Sequence, residues 1–192
     1  GARGPKPTPT ATRSPSTRPV SSVDSVLYVV AGGNGAGKTT YVTRILQPEV
    51  NLPFVNADVI AAREREHLLH EGRSFITETV FSHESKHTLI RQAAMLGYIV
   101  HLHVIMTPLE VTVKRVVELV ALGGHDVPAD KIRARYHRLA LLIASARRDA
   151  DHAEFFDNSN PSRPFRQVAL YRHGARVGDP QWPSWTPAPY LH

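Results

Sequence analysis

The 192-residue chain contains no cysteine. That absence excludes a disulfide-stapled fold and removes thiolate zinc and iron–sulfur sites from consideration. No apolar stretch approaches the ~18–20 residues needed to span a bilayer, so a soluble, cytoplasmic protein without membrane partners is expected. Acidic side chains are the scarcer charge, 17 Asp+Glu against 23 Lys+Arg, for a formal net charge of +6. Half of that excess sits in residues 1–25, where Arg3, Lys6, Arg13 and Arg18 face Asp24 alone. Elsewhere positive charge gathers at Lys38, Arg115 and the 133–138 stretch, which fits a small anionic substrate better than nucleic acid.

Proline is spread as unevenly as charge. Five of the 15 prolines precede residue 20 and four follow residue 179. Residues 1–24 are rich in Pro, Thr, Ser and Arg and nearly free of large apolar groups, so they cannot bury enough surface to offset the entropy of ordering. They are expected to form a disordered tail. No apolar h-region marks a secretory signal, and the prolines oppose an amphipathic transit helix. Three segments result: the tail at 1–24, one domain at 25–178, and a Pro/Trp-rich C-terminal tail at 179–192. Trp182 and Trp185 are expected to pin that last segment to the domain, with peptide binding by its proline-rich stretch as the other reading.

Between the tails, short apolar runs alternate with helical stretches. Val26–Ala31 (VLYVVA) reads as a buried first strand and Lys38–Leu46 as the helix after it. Phe54–Asn56, Phe75–Thr77, Tyr98–Met106 and Glu154–Asp157 supply four more strands, and residues 167–177 a hairpin turning at His173–Gly174. Helices are expected at Val59–Leu69, from the cap residue Ser82 to Leu96, at Leu109–Leu122 behind Pro108, and at Ala129–Asp149. This order predicts an α/β fold: a parallel sheet of about five strands flanked by helices, with a helical lid. The sequence has no internal repeat.

Gly32-Gly33-Asn34-Gly35-Ala36-Gly37-Lys38-Thr39 matches G-x-x-x-x-G-K-[ST], directly after a buried strand and before a helix. Phosphate oxygens need a ring of backbone N–H donors, and only a glycine-rich loop bends tightly enough to aim them inward. The helix N-terminus adds positive potential. Gly32 to Thr40 are therefore the expected nucleotide-binding residues, with Lys38 on the β/γ-phosphates and the Thr39 hydroxyl on Mg²⁺. The guanine-specifying N-K-x-D of GTPases is missing, and the chain is too short for the lids of large ATPases. A small-molecule kinase acting on ATP (or GTP) fits best.

Three further groups suit phosphoryl transfer. Asp58, after the second strand in FVNADVI, is placed to accept a substrate hydroxyl proton, and also suits a helix N-cap. Glu78 leaves the third strand in FITETV, where a carboxylate would hold the acceptor or a Mg²⁺-bound water, with Thr79 beside it as a further substrate contact. Arginines flank the Gly123–Gly124 break: Arg115 and Arg135 are the first candidates for catalytic lid charges, and Arg138 for the substrate. A basic solvated helix face is the bland alternative. His125, beside the break, is read equally as a phosphate contact or a loop residue.

The motifs GGNGAGKTT, FVNADVIA, SFITETVFS, GYIVHLHVI, RVVELVALGGHDVP, IRARYHR and FFDNS run in this order from Val26 to Gly178. In them the chain resembles the zeta toxins, kinases of UDP-N-acetylglucosamine from bacterial toxin–antitoxin systems, particularly the short chromosomal type. The resemblance implies a P-loop kinase fold, Mg²⁺-ATP, transfer of the γ-phosphate to a sugar hydroxyl and a cognate antitoxin protein. It implies phosphate and Mg²⁺ binding by Lys38 and Thr39, Asp58 as base, Glu78 at the acceptor, and lid arginines from Arg115 and IRARYHR. The chain departs from the family in a short connection between VNADVIA and SFITET, in Val80 where a second Thr is usual, and in Leu119 where an Arg is expected.

Two other classes compete. A degenerate module that holds nucleotide and a protein partner would share every feature of the loop. His83-Glu84-Ser85-Lys86-His87 matches the H-E-x-x-H of zinc hydrolases, but starts at a helix cap and has no Gly-x-x-His downstream for a third ligand. His101 and His103, two apart on a strand, share one face and are expected to pack there rather than bind metal.

Overall fold

A computed structural model describes residues 24–56, 59–81, 83–121 and 128–192. The N-terminal segment 1–23, Asp58, Ser82 and the Gly123–His125 hinge lie outside the described residues, as does the side chain of Leu119.

Seven strands form one sheet in the order β2-β3-β1-β4-β5-β6-β7. The strands are β1 (Val26–Gly32), β2 (Phe54–Val55), β3 (Phe75–Thr79), β4 (Ile99–Met106), β5 (His152–Asp157), β6 (Arg166–Arg172) and β7 (Ala175–Val177). The first five pair in parallel, and β6 and β7 add an antiparallel hairpin, so the sheet is mixed and larger than the expected five strands. His173 and Gly174 both take positive φ, 47° and 75°, the backbone a tight two-residue hairpin turn demands. The exposed edge strand β7 is only three residues long, which limits unwanted pairing.

The helices are α1 (Lys38–Tyr41), α2 (Gln47–Val50), α3 (Val59–His70), α4 (Ser85–Met95), α5 (Leu109–Ala121) and α6 (Ala129–Ala146). A π-helical stretch, Val42–Leu46, joins α1 to α2, with the Gln47 amide reaching Val42 O. Pro48 explains it: with no N–H, it leaves the preceding turn without a regular partner, and the helix widens instead of ending. This helix thus outruns its expected end at Leu46. In contrast, α6 stops at Ala146, three residues short of Asp149, and β5 starts two residues before Glu154.

Alternation along the strands divides the core. Leu27, Val29, Leu102, Val104 and Phe155 face α4 and α6, packing with Ile90, Leu139 and Ile143. Val30, Ile76, Ile105 and Phe156 face α1, packing with Tyr41, Val42 and Leu46. The segment 179–192 lies on the first face: Trp182 meets Phe155 edge-on at 5.3 Å, and buried Tyr190 meets it at 5.1 Å. Arg147 fastens it, donating to the carbonyls of Tyr190 and His192 while its guanidinium sits 4.2 Å over the Tyr171 ring. Among the described residues no helix is long and apolar enough to cross a membrane.

Candidate nucleotide-binding site

β1 has β3 on one side and β4 on the other, while the chain reaches β2 before β3. The strand order therefore reverses beside β1, and such switch points open a crevice at the carboxyl ends of the strands. The loop from Gly32 to Gly37 lies there. Its glycines are required by space and by torsion. A methyl on Gly32 would stand 2.5 Å from the Ile105 carbonyl oxygen, and one on Gly37, at φ 94°, 2.6 Å from Asn158 Nδ2.

The loop is held from outside by its carbonyls. Arg115, on α5, donates to Gly35 O (3.1 Å) and to Asn158 O (3.2 Å). Asn158, the first residue after β5, donates from Nδ2 to Ala36 O at 2.8 Å, and its own amide is tied to Met106 O. A trans peptide points its N–H opposite its carbonyl, so fixing Ala36 O outward turns the Gly37 amide the other way, toward the loop's concave side. Lys38 Nζ donates to Gly33 O at 3.0 Å. Burial lowers the pKa of this ammonium, and the Glu78 carboxylate acts against that.

β3 pairs with β1 so that Glu78 stands opposite Val30, on the α1 face. Its carboxylate receives the Thr39 hydroxyl, with 2.8 and 3.0 Å to its two oxygens, and Glu78 is only 8% exposed. A hydroxyl and a carboxylate beside a phosphate loop form a hard oxygen donor set, which fits Mg²⁺.

On the other side of the loop, Gly33, Asn34, Thr112, Arg135 and Tyr136 line a small cavity. Tyr136 donates to Thr107 O at 3.0 Å, and burial pushes its hydroxyl up to about 12. The Thr107 and Thr112 hydroxyls meet at 2.8 Å. These bonds fix the α5–α6 wall on which Arg135 stands.

The fold thus gathers Gly32 to Thr39, Glu78, Arg115 and Arg135 at one end of the sheet. Thr40 and Arg138 are exposed, and Arg138 does not line the cavity. Thr79 is buried, and its hydroxyl accepts the Phe81 amide at 3.1 Å. Val80 lines the same cavity as Arg135. Sequence reading missed the bracing by Asn158, for which the signal was the polar Asn directly after the apolar strand in FFDNS. It also missed the direct Thr39–Glu78 contact, which depends on strand register.

In the competing H-E-x-x-H stretch, His83 precedes α4 while His87 bonds the Asp149 carboxylate. Among the described residues no cluster of three metal-ligating groups forms around the two.

The fold is that of P-loop kinases. A chain of the AvrRxo1-ORF1:AvrRxo1-ORF2 complex with ATP superposes with a TM-score of 0.59 at 17% identity, over 80% of this chain and 60% of that one. A chain of the PezAT chromosomal toxin–antitoxin system of Streptococcus pneumoniae gives 0.56 at 18% identity, over 81% of this chain and 75% of that one. A chain of the Pnkp1/Rnl/Hen1 RNA repair complex gives 0.53 at 16% identity, over 66% and 47%. The chain thus spans 60% of the length of the AvrRxo1 chains it matches. No protein-family model and no curated protein matches the sequence.

Proposed function

We propose that the protein is a Mg²⁺-ATP-dependent kinase of the zeta-toxin type that phosphorylates a hydroxyl of a small anionic metabolite. The observation that carries this reading is the braced phosphate loop with the Thr39–Glu78 pair beside it. Hydrogen-bond donors and an oxygen donor set for a hard cation stand together at the carboxyl end of the sheet, where a nucleotide and an acceptor would meet.

In this reading the acceptor oxygen forms a bond to the γ-phosphorus as the bond from that phosphorus to the β,γ-bridging oxygen breaks. The acceptor's proton passes to the Asp58 carboxylate, and ADP leaves. Lys38 and the amides of the loop offset charge on the β- and γ-phosphates. Mg²⁺, held by Thr39 with Glu78 near it, would neutralise phosphate charge and orient the oxygens. Arg135 faces the cavity from α6 as a lid charge. Arg115 acts by keeping the loop in shape, since both of its bonds go to backbone carbonyls. UDP-N-acetylglucosamine is the first acceptor to test, and a cognate antitoxin the expected protein partner. Both rest on the motif resemblance, and the PezAT toxin–antitoxin system among the fold neighbours supports the second.

The test is a screen of nucleotide sugars and a metabolite extract with γ-labelled ATP, comparing wild type with Lys38→Ala and Asp58→Asn. Label transfer by wild type, lost in both variants while Asp58→Asn still binds ATP, is the expected result. ATP binding without transfer to any acceptor would instead establish a nucleotide-binding module acting through a partner. Transfer to an acceptor other than a nucleotide sugar would retain the kinase and replace the substrate.

A further inference from the structure

We propose that β4 and β5 carry a transition-metal site, most suited to Zn²⁺, with His101, His103 and Glu154 as ligands. It lies on the α1 face of the sheet, away from the phosphate loop. Residues two apart on a strand share a face, which puts both histidines under the first helix, and the β4–β5 register sets Glu154 directly beside His103. One ligand atom from each of the three lies within 4.8 Å of the others.

His103 points to an ion. Its side chain is only 7% exposed. Nδ1 is 2.8 Å from the Tyr41 hydroxyl, whereas Nε2 has no hydrogen-bond partner. That orphaned nitrogen faces Glu154 Oε1 at 3.7 Å, too far for a hydrogen bond. A buried polar atom without a partner is costly, and a cation between imidazole and carboxylate would satisfy both at once.

The surroundings match what metal ligands need. A ligating histidine usually has its other ring nitrogen held by an outer group, and Tyr41 does this for His103. Gln167 donates to the other carboxylate oxygen of Glu154. His101 stacks on His152 at 4.5 Å and meets the tilted Tyr28 ring at 4.7 Å, which limits its ring to few orientations. An open pocket, lined also by Tyr28, Tyr41 and Glu49, gives onto the three groups. Two nitrogens and a carboxylate with open positions are a donor set for zinc rather than for Mg²⁺ or Ca²⁺.

The probe is zinc alone, added by equilibrium dialysis to full-length protein stripped with chelator. The expected result is about one equivalent bound per chain, with a rise in Tm and visible d–d bands when Co²⁺ replaces zinc. Glu154→Gln and His101→Ala should each weaken binding at least ~10-fold, and Tyr41→Phe by about 10-fold, with circular dichroism confirming the fold. His83→Ala and Lys38→Ala should leave zinc affinity unchanged. The two ligand variants alter residues at the cavity, so the test stands even if His103→Ala does not fold. Failure of wild type to bind zinc, or unchanged affinity in Glu154→Gln and His101→Ala, would overturn the site.

Discussion

Two regions of the α1 face are built in opposite ways. At the carboxyl end, the phosphate loop comes from eight consecutive residues, and its partners Arg115 and Asn158 only brace a shape that its glycines permit. Midway down the strands, the histidine cluster has no contiguous element. Two residues come from β4, one from β5, and Tyr41 from the helix covers them. A loop made of neighbours tolerates changes in the scaffold so long as its torsions survive. A cross-strand cluster depends on register, and a one-residue slip would turn each of its side chains to the other face.

The largest expected effect tests what the two regions share. Tyr190→Ala removes a fully buried ring from behind Phe155, and should lower stability by about 3–5 kcal/mol in thermal or denaturant unfolding. Phe155 and Phe156 point to opposite faces of β5, so ATP and zinc affinities measured well below Tm should persist. Loss of either would show that the C-terminal segment shapes a site.

Lys38→Ala separates the regions. Removing a charged donor should weaken ATP binding by about 1.5–3 kcal/mol by calorimetry, without changing melting behaviour in zinc.

Asn158→Ala is intermediate. It leaves the Ala36 carbonyl without its partner and should weaken ATP binding, at a stability cost of about 1–2 kcal/mol. Equal ATP affinity in wild type and this variant would mean that the glycines and Arg115 hold the loop unaided.

Arg133→Ala sets the baseline. Its bond to Glu110 at 3.0 Å is solvent-exposed, and its loss should cost no more than about 1 kcal/mol and alter neither affinity.

Most elements were legible in the sequence. VLYVVA and YIVHLHVIM are long, mostly apolar and β-branched runs, as central parallel strands tend to be, and Pro108 and Gly97 stand at element boundaries. The errors fell where local signals stop. The first helix is expected to end at Leu46, whereas a π-helical turn carries it on through Pro48 to Val50. For the candidate site, the loop was legible because its chemistry is contiguous. Asn158 was legible only within the FFDNS motif, with no hint that it would reach back across 122 residues to Ala36. His101 and His103 are expected to pack on one strand face, and they do pack there against Tyr28, Tyr41 and His152, but Glu154 beside them lies on another strand, beyond any local signal.

The sequence by itself determined the phosphate loop, the alternation of strands and helices, and the absence of any thiol ligand, because each is written in neighbouring residues. Only the tertiary structure decided that Glu78 meets Thr39, that Arg115 grips the loop backbone, and that an orphaned imidazole nitrogen faces a carboxylate. Those outcomes follow from which strands pair and in what register, and pairing is settled by burying the whole sheet at once.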